Sequence, residues 1–458
     1  MTARESVVGL DLGTTSTKVL VRDLDGRRLS LVEIPTPWTT TAAGGTETTA
    51  AALQSHVIRA LTTSLRQAET VAGPLRVRGL GVTGFAESGV VLDAAGRPCT
   101  PVVAWFDRRG EQQVARVAGR LPDFERAFVR RTGLPWTSQA TLAKLLWFAD
   151  HGAVLTRGHR WAGVPEYVVH VLGGELVSEP SLASRTGLLD QATGRAWSDG
   201  AQALGLPPTL LSPTVHAGSP AGEVRHRGLP ACLHGASLTV AGHDHPVAAI
   251  GAGATGADDL FNSTGTADVI ARSLPGVLSD DQRERLVRQG FSAGSHILPD
   301  TTLVLGGVRG GLLLRRVLTL LGGEDAATRD RLDEAALAVG VLPVGLTVSS
   351  DRGTDDVVLH VRDGARPAAV WAAAAGHTAA ETRTLLDTLH RVVPPHRRAV
   401  ASGGWTRMAS IRAAKAAAVE RLEFSDQPEP GVAGAAILAE RAAALSPEPT
   451  TPRPVSTL

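Results

Sequence analysis

The sequence predicts a mixed α/β protein with two related domains, and three observations support this expectation. The chain has 458 residues, which is enough for two or more domains of ordinary size. Apolar extended runs alternate with segments of helical periodicity along its length. A strand–turn–strand pattern with a Gly-Thr turn occurs at residues 7–23 and again at residues 260–271. We therefore expect each domain to present one such turn to a shared cleft.

In the first pattern, an apolar strand meets an acid at Asp11, a tight turn follows, and a second strand alternates apolar and polar residues. Gly13 lets the backbone turn sharply or approach a ligand. Thr14 and Thr15 supply N–H and O–H donors, and Asp11 can hold a hydrated Mg²⁺, which needs few carboxylates. These groups suit the phosphates of a nucleotide and their metal ion, but an ordinary hairpin with a threonine-rich turn has the same pattern.

The rest of the first half alternates between strands and helices. Leucine and valine recur at helical spacing from Leu53 to Leu65, so we expect a helix over residues 50–68. Short apolar runs predict strands at residues 77–83, 90–93, 102–107 and 238–241. Helical spacing also predicts helices at residues 110–129 and 142–150 and an alanine-rich helix that ends near Gly251.

The second half repeats the opening arrangement. At residues 260–271 the turn donors are Thr264, Gly265 and Thr266. Farther along the chain, periodicity predicts helices at residues 312–321, 368–392, 407–419 and 431–445, with a short strand at residues 398–402. Two such hairpins suggest two domains of related structure, although the shared pattern is short.

Composition and charge exclude several classes of partner. The formal net charge is +1, which argues against a nucleic acid or an anionic membrane as the main partner. No apolar run is long enough to span a bilayer. Cys99 and Cys232 form neither a metal-type spacing nor a disulfide framework. The first residues lack a basic region followed by an apolar core, so we expect a cytoplasmic protein. Residues 446–458 carry four prolines and no periodicity, which predicts a disordered tail.

Two glycine motifs are weak or absent. Residues 251–256, GAGATG, match the dinucleotide-binding glycine pattern, but they do not lie between a strand and a helix. A helix end with flexible glycines explains them better. The sequence contains no GxxxxGK[ST] stretch, which excludes a P-loop.

The sequence GHDH at residues 242–245 allows three interpretations. His243 and His245 could form a metal pair, but a zinc hydrolase needs further ligands placed by the fold. Asp244 could accept a proton from a substrate hydroxyl that attacks phosphorus. It could equally cap the helix that follows.

Two further acids and two tryptophans are candidates for a substrate site. Glu87 follows a predicted strand, and Asp107 closes the run VVAWFD. Both could bind hydroxyl groups of a sugar or polyol, and both could be ordinary turn acids. Trp105 and Trp136 could line such a site, but tryptophan more often packs in or near a core.

The motifs together, in this order, resemble the FGGY family of carbohydrate kinases, within the actin, hexokinase and heat-shock-chaperone superfamily. The substrate segment ends in the W-x-D-x-R pattern of Trp105, Asp107 and Arg109. The resemblance covers nearly the whole chain, and its motifs are DLGTTSTK at 11–18, GVTGFAESGVVLDAAGRPCTPVVAWFDRR at 81–109, ELVSEPSLASRTGLLD at 175–190, GHD at 242–244, STGTAD at 263–268 and ASGGW at 401–405.

The resemblance implies two ribonuclease-H-like domains of the actin/hexokinase ATPase type, at residues 1–241 and 242–445, that flank a catalytic cleft. It implies phosphorylation of a sugar or polyol hydroxyl by ATP and Mg²⁺, with Asp244 as general base and Asp11 holding Mg²⁺ through water. It also allows a homodimer. The implied nucleotide-binding residues are Asp11, Gly13, Thr14, Thr15, Lys18, Thr264, Gly265, Thr266, Gly403 and Gly404. The implied substrate-binding residues are Ala86, Glu87, Trp105, Asp107 and Asp244.

The sequence departs from the family pattern in two places. Xylulose kinases carry Met-His and glycerol kinases carry Arg-Glu where this chain has Ala86 and Glu87. The second-domain loop that usually reads G-E-R-x-P is shortened to residues 349–356. The chain thus shares the acid with the glycerol kinases and lacks their arginine. From the resemblance as a whole we expect a kinase of a small ketose such as xylulose, with a glycerol- or tetritol-type polyol kinase as the alternative. A non-catalytic nucleotide-binding relative and a zinc hydrolase are two hypotheses from other classes.

Overall fold

The computed structural model describes residues 3–350, 356–362 and 364–446. The expected tail at 446–458 and the shortened loop at 349–356 lie mostly outside these residues. Within them, two large β-sheets are each covered by helices, which confirms the predicted mixed α/β class. None of the helices described is long and apolar enough to cross a membrane.

The strands are short to medium in length and occur throughout the chain. They are β1 (Arg4–Leu12), β2 (Ser16–Asp23), β3 (Arg28–Pro35), β4 (Thr39–Thr40), β5 (Thr46–Thr48), β6 (Leu75–Gly84), β7 (Gly89–Leu92), β8 (Val102–Val103), β9 (Arg160–Gly163), β10 (Leu189–Asp190), β11 (Arg195–Ala196), β12 (Ser237–His243), β13 (Asp259–Thr264), β14 (Asp268–Pro275), β15 (Ser292–Ser295), β16 (Thr301–Val308), β17 (Leu346–Ser350), β18 (Val357–Val361), β19 (Arg398–Ser402) and β20 (Leu422–Phe424).

The helices connect these strands and cover the sheets. They are α1 (Ala50–Ala72), α2 (Glu111–Arg120), α3 (Phe124–Thr132), α4 (Thr141–Asp150), α5 (Val164–Val171), α6 (Pro180–Ala183), α7 (Ser198–Ala203), α8 (Asp244–Ala252), α9 (Asp280–Arg288), α10 (Gly310–Leu320), α11 (Ala326–Leu337), α12 (Pro367–His390), α13 (Ala409–Ala418) and α14 (Pro430–Leu445), with short 3₁₀ turns at Ala231–Leu233 and Gly404–Arg407.

The two large sheets share one topology. The first has the order β12-β6-β1-β2-β3, with β1, β2 and β3 antiparallel and β1, β6 and β12 parallel. The second has the order β20-β19-β13-β14-β16, with the same directions and β15 added at the edge. The prediction of two related domains, each with a strand–turn–strand hairpin, is therefore confirmed.

Helices α8 and α14 lie between the two sheets. Val432 and Ala433 of α14 pack on Val7 of β1, while Val247 joins α8 to α14. The other side of α8 packs on the second sheet, where Ala249 contacts the cluster around Phe261 and Val400. The final helix thus packs on the first sheet. The proposed division of the chain at residues 241 and 242 stays a prediction.

Glycine makes the close packing of α14 possible. A Cβ atom on Gly9 would lie 2.1 Å from the carbonyl oxygen of Val432, and one on Gly81 would lie 2.2 Å from that of Ala435. Side chains at these strand positions would therefore force α14 away from the sheet.

Two secondary-structure predictions were wrong in detail. The run at residues 102–107 is a strand only at Val102–Val103, because a turn follows in which the Asp107 N–H donates to the Ala104 carbonyl. The expected helix at 110–129 is split into α2 and α3, with Leu121 ending the first. The motif at 251–256 lies at the C-terminal end of α8, as a helix end predicts.

Candidate active site

Strand register brings the ends of three parallel strands of the first sheet together. Asp11 pairs with Thr83 across β1 and β6, and Thr83 pairs with Gly242 across β6 and β12. Asp244 follows two residues later, as the first residue of α8. Two acids that are distant in sequence therefore lie at the same end of the sheet.

The first Gly-Thr turn is held by two tryptophan side chains. Trp38 Nε1 donates to the Thr14 carbonyl at 2.8 Å, and Trp105 Nε1 donates to the Thr14 hydroxyl at 2.9 Å. The Gly13 carbonyl accepts from Thr36 Oγ1 at 2.7 Å. These bonds use oxygen atoms of the turn, so they fix its path without occupying the N–H groups that are predicted to bind phosphate.

Asp11 has the environment of a cation ligand. Its Oδ1 atom is buried and has no hydrogen-bond partner among the described residues. Burial, and next the charge of Asp244, raise the pKa of Asp11 to about 7, although Lys18 opposes this. A Cβ atom on Gly431 would lie 2.3 Å from Asp11 Oδ2, so α14 begins directly against the carboxylate. A hydrated divalent cation would neutralise the two acids, and the site therefore fits Mg²⁺.

Asp244 is positioned by hydrogen bonds to the strand end that precedes it. Thr83 Oγ1 donates to the Gly242 carbonyl at 2.7 Å, and the His243 N–H donates to Ser181 Oγ at 2.9 Å. The Asp244 Oδ1 atom is itself buried without a hydrogen-bond partner in the described part of the chain. His243 Nε2 lies 3.2 Å from this oxygen but does not make a hydrogen bond to it, so the oxygen can still accept a proton or hydrogen bond from a ligand.

The charge state of this segment suits a base. Burial is the largest effect on the pKa of Asp244 and acts to raise it, but His245, His243 and Arg185 together outweigh burial, so the pKa lies below its usual range. Burial lowers the pKa of His243 to about 3, so its imidazole is neutral at physiological pH. His243, Asp244 and His245 also present donor atoms within 4.8 Å of one another. This geometry leaves the metal-pair hypothesis open as a prediction.

The second Gly-Thr turn is packed from two sides. Thr264 Oγ1 donates to the Ser402 carbonyl at 2.9 Å. Gly403 has φ 124°, and a Cβ atom there would lie 2.4 Å from the Thr264 carbonyl oxygen. A Cβ atom on Gly311, in the first turn of α10, would lie 1.8 Å from the Gly265 carbonyl oxygen. The turn therefore sits in a close backbone cradle formed by β19 and α10.

Glu87 forms an ion pair rather than standing free. Arg185 Nε and Nη2 lie 2.7 and 2.6 Å from Glu87 Oε1. Arg185 Nη1 donates to Ser292 Oγ on β15, at 2.6 Å. Ala86 is buried in the core of the first sheet. Of the predicted substrate pair, Glu87 alone has a polar group that could bind a hydroxyl.

Asp107 has structural partners. It pairs with Arg109 at 2.9 Å and accepts from the Thr46 N–H at 2.6 Å. Burial acts to raise the pKa of Asp107, but the Arg109 bonds outweigh it and the pKa is lowered. Beside it, the buried Lys144 ammonium donates to the carbonyls of Trp105, Ser138 and Gln139 at 3.0–3.1 Å.

Other predicted residues have less direct support. Lys18 Nζ lies 2.6 Å from Glu429, so its charge is paired. Thr266 accepts a long bond of 3.4 Å from Arg315. An added Cβ atom on Gly404 would meet no atom within 4 Å, which leaves space beside it.

Trp136 is a core residue and not part of this site. It is 5% exposed and its ring lies 4.9 Å from that of Phe128, centre to centre. Core packing therefore accounts for it, as its residue type favours.

Sequence reasoning missed four positioning residues, namely Trp38, Lys144, Glu179 and Arg185. Glu179 caps α6 and its Oε2 accepts from the N–H and hydroxyl of Ser181. For Lys144 the available signal was a lysine inside an otherwise apolar helix, which indicates a buried polar contact but not its partner.

Comparison with known proteins supports a kinase relationship. The model of the FGGY family of carbohydrate kinases, N-terminal domain, matches residues 6–251. An L-fuculokinase of Escherichia coli (strain K12) is 25% identical over 278 residues, which cover 58% of this chain and 56% of the relative. A gluconokinase of Bacillus subtilis (strain 168) is 24% identical over 379 residues, covering 80% of this chain and 69% of the relative. The chain spans about half the length of the first curated relatives.

A solved structure extends the similarity to the whole fold. The xylulose kinase from Rhodospirillum rubrum superposes with a TM-score of 0.80 and 25% identity, over 95% of this chain and 89% of that chain. This confirms the two-domain fold of the actin/hexokinase type. Because the family model covers more than half of the sequence, the chain belongs to the FGGY family of carbohydrate kinases.

Proposed function

We propose that this protein transfers the γ-phosphoryl group of ATP to a hydroxyl of a small sugar or polyol, giving a sugar phosphate and ADP. One observation carries the proposal. Asp11, on β1, and Asp244, the first residue of α8, each present a buried carboxylate oxygen that accepts no hydrogen bond from the described residues, at one end of the first sheet. A metal-bound phosphate and a hydroxyl acceptor are the ligands that such a pair would serve.

In this proposal, Asp244 accepts the proton of the acceptor hydroxyl as its oxygen attacks the γ-phosphorus. Proton removal is a modest contribution, because the transition state is loose and the proton leaves late. Most of the acceleration comes from alignment of the two substrates and from neutralisation of phosphate charge. Because burial lowers the pKa of His243 to about 3, its imidazole is a much weaker base than an ordinary histidine and competes less for the proton.

The two Gly-Thr turns bind the phosphates through backbone N–H groups and threonine hydroxyls. Thr14 and Thr15 act in the first turn. In the second, the Thr264 hydroxyl and the Gly265 N–H already donate to the carbonyls of Ser402 and Ala267, so Thr266 is the donor there. Gly403 and Gly404 let the backbone approach the adenosine. Asp11 would hold Mg²⁺ through water, and Mg²⁺ when bound offsets the negative charge of the phosphates.

The acceptor is a ketose such as xylulose in the first instance, with a glycerol- or tetritol-type polyol as the alternative. The relatives of this chain are named for different substrates, among them an L-fuculokinase and a gluconokinase, and so support the general class of acceptor. Glu87 supports hydroxyl recognition in either case. A cytoplasmic location and a homodimer stay predictions of the sequence.

A coupled assay of ADP release tests the proposal over pentuloses, hexuloses, tetritols, glycerol and aldonates. We expect one class to stimulate ADP release, and Asp244→Asn to lower kcat by about 10²- to 10⁴-fold with MgATP affinity unchanged. Asp25→Asn, at the exposed turn before β3, is the matched control and should retain full activity. No stimulation by any acceptor would favour a non-catalytic nucleotide-binding protein, and a normal rate in Asp244→Asn would exclude Asp244 as the base.

A further inference from the structure

We propose that Arg185 is a positioning residue for the acceptor, fixing the Glu87 carboxylate and tying it to the second sheet through Ser292. The inference rests on the proposed kinase function and deepens it by adding a specificity-determining residue that acts through Glu87. Arg185 lies in the segment after α6, far in sequence from both of its partners. The contacts that join these residues are 2.6 and 2.7 Å long.

The geometry of the ion pair gives Glu87 a defined orientation. Arg185 Nε and Nη2 both contact Oε1 of Glu87, which leaves Oε2 to accept from a hydroxyl of the acceptor. Two donors of one rigid guanidinium hold this carboxylate oxygen in place better than a single ammonium could. Hydroxyl recognition needs such a fixed acceptor, because substrates that differ by one stereocentre present the same groups in different directions.

The backbone of Glu87 supports a functional reading of this contact. Its φ angle is 59°, in the left-handed region that residues other than glycine rarely adopt. Such a conformation persists only where the surroundings hold it, and these positions cluster at ligand sites. The Arg185 ion pair is one of the contacts that hold this side chain, and Glu87 is 12% exposed at its side chain.

Arg185 also connects the acceptor end of the site with the base. Its charge is one of those that act on Asp244, and it favours the ionised form of that carboxylate. Because Ser292 lies on β15, at the edge of the second sheet, the same guanidinium contacts residues of both halves of the molecule. Relative movement of the two sheets would therefore change the position of Glu87 and of the acceptor bound to it.

Arg130 provides a matched control because it also joins the two halves, at a different place. It lies on α3 and pairs with Asp281 and Glu284 of α9. Asp281 is 80% exposed, so its contact with Arg130 is a solvated surface pair, whereas Glu284 is 10% exposed and its contact is partly buried. A change in acceptor KM that substitutions of Arg185 and Arg130 share would reflect only contact between the two halves of the molecule. A change that occurs only on substitution of Arg185 would reflect its contact with Glu87 in the acceptor site.

The test compares Arg185→Lys, Ser292→Ala and Arg130→Lys with the wild-type protein, using the acceptor found in the ADP-release screen. We expect Arg185→Lys to raise the KM for the acceptor by about 10- to 100-fold, as expected for hydrogen bonds to a charged group. The KM for ATP and the acceptor-independent ATP hydrolysis should stay within twofold of wild type. Ser292→Ala should raise the acceptor KM by a smaller factor, and Arg130→Lys should leave it unchanged.

The outcomes distinguish a failure of the role proposed for Arg185 from a failure of the proposed kinase function. If no acceptor stimulates the wild-type protein, both proposals fall. Two results in an active wild-type protein would show that Arg185 has no positioning role. Either Arg185→Lys and Arg130→Lys have the same acceptor KM, or Arg185→Lys changes the KM for the acceptor and the KM for ATP by the same factor. Should Arg185→Lys fail to fold, Ser292→Ala decides, and a wild-type acceptor KM in that variant would refute the link to the second sheet.

Discussion

The close contact between Gly311 and the second Gly-Thr turn gives a sharp test of nucleotide binding. In Gly311→Ala, the new Cβ atom would lie 1.8 Å from the Gly265 carbonyl oxygen and 2.9 Å from that of Thr266. Nonbonded heavy atoms pack at about 3.5 Å, so the turn or α10 must move by roughly 1.7 Å. Both contacts are to backbone atoms, and no side chain can rotate away to absorb the change.

A displacement of this size should uncouple the turn from the phosphates. Misplacement of a reacting group by about 1 Å can cost roughly 100-fold, so we expect Gly311→Ala to lower kcat/KM for ATP at least 100-fold. Isothermal titration should show a matching loss of MgADP affinity. Folding should lose only about 1–3 kcal/mol from overpacking, which unfolding in urea measures.

Gly376→Ala is the control, because it makes the same substitution inside a helix with nothing within 4 Å of the new Cβ atom. It should be stabilised by about 0.5–1 kcal/mol and keep wild-type kinetics. If Gly311→Ala binds MgADP within twofold of wild type and turns over normally, the second turn does not hold the nucleotide. The reasoning from the backbone cradle would then be wrong.

Two further predictions concern buried charges. Burial raises the pKa of Glu179 from 4.5 to about 8. Between these pH values the folded protein therefore binds more protons than the unfolded chain. The free energy of unfolding should fall as the pH rises through this window. Glu179→Gln should flatten this slope in urea unfolding at pH 5, 6.5 and 8, and equal slopes in both proteins would contradict the assignment. Lys144→Met removes three donors to backbone carbonyls, including that of Trp105, and should cost about 2–4 kcal/mol of folding free energy. Urea unfolding measures that cost, and a change below about 1 kcal/mol would mean that water replaces the ammonium.

Features that depend on local sequence were predicted well. The strand Arg398–Ser402 was predicted to the residue, and the helix Ala50–Ala72 was predicted to begin at its actual first residue. Both carry a regular apolar period, although α1 continues four residues beyond its expected end at residue 68 and stops at Ala72, before Gly73. The two hairpins were recognisable for the same reason, because a Gly-Thr turn interrupts an alternating pattern at a fixed place.

Features that depend on contacts between distant segments were not predictable. The partner of Glu87 is 98 residues away in sequence, and arginine is abundant in this chain, so no local signal singles out Arg185. The side chain of Asp107 was expected to face a sugar, yet its acceptor atoms are used by Arg109 and by the Thr46 N–H. Sequence reasoning identifies a polar residue near a strand end, but only the fold shows which neighbour takes its hydrogen bonds.

The two hairpins have the same path through equivalent sheets, yet their acids differ in a way that assigns them different chemistry. Asp268, just after the second turn, accepts from Asn262, Thr382 and Lys415, so its charge is neutralised within the protein. Asp11, just before the first turn, keeps a buried oxygen without a partner in the described residues. A cation would offset the negative charge of Asp11 at the first turn and would be repelled by the Lys415 ammonium at the second. We therefore predict that the metal ion of the proposed reaction binds on the side of the first sheet, next to Asp244, while the second turn contributes neutral donors to the phosphates.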